Sequence, residues 1–262
     1  CSTCLHTPGE SDWFDKRFER AIEPLHSSEV PMSSDALILR MLSGVQSKSE
    51  MQFTNRKQQQ QTEVSPCRTC AVVGNSWFLR DSGLGFRINQ HDVVLRMNQA
   101  PVQGFETDVG NTTTMRIMYP EAVRIQDPGT QLLVLPMNSS GLQRFMNTLF
   151  EDSLIFQIAQ FPGGNKKSKD KVLVISLTFL KYIQENWLKK QGQYPSLGLV
   201  ALFYALHTCD QVSLFGFGTD NLQRWSHYWD DKYWFMNNMH NPKAEYNIIL
   251  RLWCEGKVVI YK

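Results

Sequence analysis

The stretch CAVVGNSWFLRDSGLGFRINQHDVVLRMNQ, residues 70–99, decides the fold. It holds two short β-branched runs, and the first breaks off on Gly74, Asn75 and Ser76. A buried strand that stops on glycine and small polar residues is how an open α/β sheet presents its ligand-facing turns, because ligands there sit outside the carboxyl ends of the strands. The turn is not a dinucleotide fingerprint. G-x-G-x-x-G needs a second glycine two places after Gly74, and Ser76 stands there, so a nicotinamide site is not expected.

β-Branched runs recur along the chain at residues 71–75, 92–98, 112–119, 131–137, 171–176, 211–217 and 257–261. Helical spacing of apolar residues fills 142–150, 177–192, 196–209 and 244–256. Strands alternating with helices predict an α/β chain: a single Rossmann-like domain over residues 67–262, with a mostly parallel seven-stranded sheet flanked by helices. Residues 1–66 read as an N-terminal helical extension and polar loop. There SDWFDKRFERAIEPL carries Trp13, Phe14, Phe18 and Ile22 at helical spacing behind Ser11 or Asp12 as cap, residues 35–42 read as a second short helix, and 47–66 as a polar loop. Residues 161–170, FPGGNKKSKD, read as a loop within the domain. The strand ends gather small and amide residues: Asn98 after the second run, and Gly216, Phe217 and Gly218 after the sixth. Ser196 and Gly198 open the helix near YPSLG, where backbone N–H groups without helical acceptors suit a phosphate.

The 262 residues are 42% hydrophobic, enough for one large core, and their 27 basic and 25 acidic side chains are spread along the chain. No basic stripe tracks a polyanion, so nucleic acid is not an expected partner. No apolar run approaches the ~18–20 residues that span a bilayer. The chain as it stands reads as soluble: either a cytosolic protein or a luminal fragment parted from its anchor. The six cysteines include two C-x-x-C pairs, Cys1 with Cys4 and Cys67 with Cys70. Such pairs suit a structural zinc or disulfides. Disulfides are favoured, because CRTCAVVGN runs straight into a strand and the glycosylation acceptors Asn111 and Asn138 suit an oxidising compartment.

For a serine hydrolase the chain lacks G-x-S-x-G, and for a cation-assisted nucleotide-sugar transferase it lacks Asp-x-Asp. Two histidines remain, His227 and His240, in the segment HYWDDKYWFMNNMHNPKAE. A histidine among aromatics is most often a packed residue. Group transfer from a nucleotide without a metal nevertheless needs a base for the acceptor hydroxyl and a donor for the departing phosphate, and two imidazoles can divide those tasks.

Four segments in order carry a resemblance to a known family. CAVVGNS through HDVVLRMNQAPVQGFETDVGNTTT resembles the large motif of the animal sialyltransferases. YPSLGLVALFYALHTCDQVSLFGFG resembles their small motif, HYWD the third, and HNPKAE the very small H-x-x-x-x-E motif. Together they span residues 67–245, and CSTC, WFDKRF, RMNQAP and FGFG resemble most the α2,3-sialyltransferases acting on Galβ1,3GalNAc.

The resemblance implies a GT-A-like variant of the fold and an enzyme moving sialic acid from CMP-sialic acid to the 3-hydroxyl of a terminal galactose on a glycoprotein or glycolipid. It implies an inverting displacement with no metal or other cofactor. Asn75, Ser76 and Asn98 would hold the nucleotide and phosphate; Tyr194, Ser196, Gly198, Gly216 and Gly218 would line the donor site. His227 would bind the leaving phosphate and His240 would be the base, with Glu245 as a cap of its turn. Disulfides are implied between Cys70 and Cys209, and between Cys67 and Cys1 or Cys4. The resemblance also implies a type II membrane protein of the Golgi lumen, or its form secreted after cleavage, with the anchor outside this chain. Departures from the pattern fall at Phe78, Met115, Arg116, Leu197 and near Ile175, and they keep two other readings open: a non-catalytic glycan- or nucleotide-binding relative, and a transferase of other linkage, such as α2,6 to GalNAc.

Overall fold

The computed structural model describes residues 9–19, 67–119, 122, 129–135, 172–218, 224–230, 232–235 and 240–262. Its elements in chain order are α1 (Asp12–Asp15), β1 (Thr69–Val73), α2 (Gly85–Asn89), β2 (Val93–Met97), α3 (Glu106–Val109), β3 (Met115–Met118), β4 (Gln131–Val134) and β5 (Val172–Val174). They continue with α4 (Leu177–Tyr182), α5 (Leu197–Thr208), β6 (Gln211–Phe215), β7 (Arg224–Ser226), β8 (Tyr233–Phe235), α6 (Pro242–Cys254) and β9 (Val259–Tyr261).

All seven expected runs form strands of one sheet, in the order β5-β4-β3-β2-β1-β6-β9, with every neighbouring pair parallel. The chain lays β1 to β5 outward in one direction, then crosses back to set β6 on the other side of β1. Strand order therefore reverses between β1 and β6, and the crevice beyond their carboxyl ends is where such a sheet takes its ligand.

A parallel sheet is covered on both faces, and side chains alternate between them. Cys70, Val72, Leu95, Ile117 and Leu133 face one half of the core with α5. Ala71, Val73, Val94 and Phe215 face the other, against Leu79, Ile88, Val109 and Tyr228. α5 is buried from Leu199 through Leu206, so it needs apolar residues all round and no amphipathic stripe. Each fully buried Leu or Phe contributes about 1.5–3 kcal/mol relative to exposure.

At the N-terminus Ser11 accepts from the Phe14 amide at 3.1 Å and starts α1, as the sequence suggests. Phe14 is buried and stacks on Phe18, so this segment docks on the main core. Its partner is Trp187, 5.6 Å from the Phe14 ring, at the end of a π-helical turn over Ile183–Trp187. The expected helix over 177–192 is thus cut short. The wider turn swings Trp187 inward onto Phe203, at 4.5 Å between ring centroids, and Lys189 and Lys190 then take φ of 52° and 62°.

The antiparallel pair β7 and β8 and the short helices α2 and α3 are additions to the elements expected from the sequence. The expected helices at 35–42 and 142–150 and loops at 47–66 and 161–170 lie outside the described residues. Cys70 and Cys209 form a disulfide that ties the amino end of β1 to the segment entering β6. Cys67 is disulfide-bonded as well; Cys1 and Cys4, its expected partners, lie outside the described residues. Both sulfurs of the Cys67 and Cys70 pair are committed to disulfides, which removes the zinc reading of that pair. Cys254 is an exposed free thiol. No helix among the described residues is long and apolar enough to cross a membrane.

Candidate active site

The turns that follow β1 and β6 are bonded together. The Gly74 amide donates to the Phe215 carbonyl at 2.7 Å, the Ser76 amide to Gly216 at 3.2 Å, and the Ser76 hydroxyl to Gly218 at 3.0 Å. A Cβ on Gly74 would lie 2.3 Å from the Gly216 carbonyl oxygen, so only glycine permits this approach. Gly216 itself has a φ of +66°.

Two amides sit at the same level on adjacent strands. β1 and β2 pair Val73 with Arg96, which brings Asn75 and Asn98, each two residues on, side by side at the strand ends. Each has its Oδ1 buried without a hydrogen-bond partner. A buried orphan acceptor costs about 1–3 kcal/mol, a cost removed when a ligand brings hydroxyl or amino donors. Asn98 adopts a φ of 48°, a left-handed conformation that asparagine tolerates better than most residues.

The structure brings His227 to this pair from far along the chain. Ser76 and His227 form an antiparallel bridge, and the Tyr228 amide donates to the Asn75 carbonyl at 3.1 Å. The His227 ring stacks on Trp229 with centroids 3.9 Å apart, and its Nδ1 donates to Asp230 at 3.2 Å. That bond commits the Nδ1 proton, so further protonation falls on Nε2. Burial pushes the imidazole below its ordinary value and outweighs the opposing pull of Asp230.

α5 brings the third wall. Ser196 caps it by accepting from the Leu199 amide at 3.2 Å. A Cβ on Gly198 would lie 3.2 Å from the Phe217 ring and 3.7 Å from the Met97 sulfur, which places this helix N-terminus over the carboxyl ends of β2 and β6. Tyr194, just before the helix, is half-exposed, and its carbonyl accepts from His240 Nδ1 at 2.9 Å. A carbonyl oxygen only accepts, so the proton of neutral His240 is on Nδ1 and the lone pair on Nε2.

Glu245 does more than cap its own turn. Asn241 is the cap of α6, accepting from the Ala244 amide at 3.0 Å. Glu245 instead reaches the start of α5, where it accepts from the Ser196 amide at 2.8 Å and from the Ser196 hydroxyl. It is buried, and burial pushes its carboxyl above the ordinary range despite those two donors. The result is a clamp between the turn that bears His240 and the start of α5. It also occupies the Ser196 amide, so that of the first-turn amides those of Leu197 and Gly198 are left without a helical acceptor.

Among the departures, Phe78 is exposed with its ring edge 3.1 Å from where a Gly218 Cβ would be, beside the exposed Trp77. Met115, Arg116, Ile175 and Leu197 are all buried. Asn111 is exposed on the loop after α3, whereas Asn138 lies outside the described residues. Asp230 and Tyr228 were not singled out as parts of the site, and Arg116 was noted only as a departure from the family pattern. Asp230 could have been read from its spacing of three after His227; Tyr228 is signalled only by its tertiary contacts, its hydroxyl on the Pro101 carbonyl and its amide on the Asn75 carbonyl. Among the described residues no group of three or more His, Cys, Asp or Glu is placed to hold a metal ion.

The model of glycosyltransferase family 29 (sialyltransferase) matches residues 25–257. The chain is 36% identical to the CMP-N-acetylneuraminate-beta-galactosamide-alpha-2,3-sialyltransferase 1 of Gallus gallus, covering 100% of this chain and 81% of that protein. It is 33% identical to the corresponding sialyltransferase 2 of Rattus norvegicus, covering 100% of this chain and 79% of that one. A crystal structure of a mammalian sialyltransferase in complex with Gal-beta-1-3GalNAc-ortho-nitrophenol matches with a TM-score of 0.74 at 32% identity, over 100% of this chain and 98% of that chain. With four motifs converging on one crevice and these matches over its full length, the chain belongs to glycosyltransferase family 29, the sialyltransferases.

Proposed function

We propose that this sialyltransferase moves sialic acid from CMP-sialic acid to the 3-hydroxyl of a terminal galactose on O-glycans or glycolipids. The bond from His240 Nδ1 to the Tyr194 carbonyl carries the reading, because it leaves Nε2 as the basic nitrogen beside the donor-side helix. Nε2 takes the proton of the acceptor hydroxyl as its oxygen bonds to the anomeric carbon. The bond from that carbon to the CMP phosphate oxygen breaks on the opposite side, so configuration inverts and CMP departs with the electron pair. His227 and the amides at the start of α5 stabilise the phosphate as its charge grows. The amides of Asn75 and Asn98 offer their side-chain oxygens to the nucleotide.

The absence of Asp-x-Asp from the sequence supports a transfer in which these groups, and no cation, neutralise the phosphate. We place the catalytic domain at residues 67–262. We place the chain in the Golgi lumen as part of a type II membrane protein, as the family resemblance implies; the disulfides and the exposed acceptor Asn111 suit the oxidising compartment that this reading requires. The test is a panel of Galβ1,3GalNAc, lactosyl and GalNAc acceptors with CMP-sialic acid in excess EDTA, with product linkage read by NMR. An α2,3 product on galactose is expected. An α2,6 product on GalNAc, no turnover on any acceptor, or activity that returns only with manganese would contradict the proposal.

A further inference from the structure

Arg116 sits in the middle of β3 and is 3% exposed. Its Nη1 donates to the Asn98 carbonyl at 3.0 Å and to the Ala100 carbonyl at 3.0 Å. From the same strand, the Ile117 carbonyl accepts from the Asn98 amide at 2.8 Å. The turn leaving β2 is thus held at three points by β3, with Asn98 in its left-handed conformation. Pro101, which follows Ala100, accepts from the Tyr228 hydroxyl through its carbonyl, and the Tyr228 amide donates to the Asn75 carbonyl. One turn therefore carries Asn98 and braces the segment bearing His227.

We propose that Arg116 is a positioning residue for the nucleotide subsite: by bonding both carbonyls of the turn over residues 98–100 it fixes where Asn98 presents its unpartnered oxygen, without touching the donor. The guanidinium suits this task because its planar nitrogens keep a fixed direction on a short reach from the strand. A lysine ammonium on a flexible stem can neutralise the same carbonyls without setting the angle between them. Loss of the angle costs nucleotide binding, since a turn free to move spends part of its time with the Asn98 oxygen out of register.

The inference rests on the donor-site reading above, and a double-mutant cycle separates the two. Wild type, Arg116→Lys, Asn98→Ala and the double variant are compared for CMP affinity by calorimetry, for donor and acceptor KM, and for Tm. We expect Arg116→Lys to weaken CMP and raise the donor KM by about tenfold, the loss of about one well-made hydrogen bond, with acceptor KM, kcat and Tm close to wild type. In the Asn98→Ala background the same change should add less than about twofold, because the two residues act through one contact. Arg116→His, whose shorter side chain does not reproduce the reach of the guanidinium, is the second variant and should shift the donor KM in the same direction. Full additivity, or unchanged CMP affinity in the Lys and His variants, would overturn the inference while leaving the donor site intact. Wild-type protein that fails to bind CMP, or Asn98→Ala that binds it normally, would overturn the donor-site reading and this inference with it.

Discussion

Replacing Cys70 and Cys209 together by alanine removes the bridge that ties β1 to the start of β6, the two strands whose far ends build the crevice. The bridge closes a sequence separation of 139 residues. For a closed loop of that size the chain-entropy relation gives about 17 cal/mol/K, or about 5 kcal/mol at 25 °C. Domains hold about 5–15 kcal/mol in all, so the loss takes a third or more of the total. Both positions are buried, at 1% and 7% exposure, and alanine leaves a small void at each without an unpaired thiol. With a urea slope of about 2 kcal/mol/M the unfolding midpoint falls by about 2.5 M. Tryptophan fluorescence reads the transition, and the wild-type control must show the bridge intact by non-reducing peptide mapping. A midpoint shift under about 0.5 M, with the bridge present in wild type, would refute the reasoning: it would mean that the unfolded chain is already held together by other means.

Three further outcomes follow from the site. Gly74→Ala sets a methyl 2.3 Å from the Gly216 carbonyl oxygen, so the two turns must part; CMP binding measured by calorimetry should be lost even where circular dichroism shows a folded sheet. Burial lowers the His227 imidazole while an arriving phosphate favours its cation, so CMP binding should take up a proton and weaken as pH rises through the ordinary imidazole value of about 6.5, with a buffer-dependent heat that His227→Gln abolishes. In the unliganded protein the sign is the other way: its folded-state value is depressed, so the related stability is complete above the unfolded value near 6.5 and is lost as pH falls through the folded value. Glu245→Ala removes the acceptor of both Ser196 bonds and should cost about 2 kcal/mol in urea unfolding together with a lower kcat; Glu245→Gln, which still accepts from one donor, should recover most of both.

The sheet was legible because each of its strands is buried on both faces and so is written as a compact β-branched run. The hairpin of β7 and β8 was not, since RWS and YWF are short and aromatic and give no alternation to read. The glycines of the crevice were legible as strand terminators, but the reason Gly74 must be glycine lies 142 residues away in Gly216. Glu245 shows the same limit: its place in the first turn of α6 suggests a local cap, and only the fold brings Ser196 to it. Arg96 and Arg116 are charged residues within strands that are covered on both faces, and the sequence alone names no partner for either. In the structure both are buried, Arg96 donating to the carbonyls of Val109 and Thr112 and Arg116 to those of Asn98 and Ala100. Local pattern records which face a side chain takes; it does not record which distant carbonyl waits there.

The division of labour between the two histidines is tested most directly by His240→Ala, with kcat for transfer from CMP-sialic acid to Galβ1,3GalNAc measured beside CMP affinity on the same preparation. If His240 Nε2 is the base, kcat falls by roughly 10²–10⁴-fold and the Kd for CMP stays within about twofold of wild type, because the base touches the acceptor and not the nucleotide. Transfer at the wild-type rate, or a loss of CMP affinity that matches the loss of rate, would contradict the assignment.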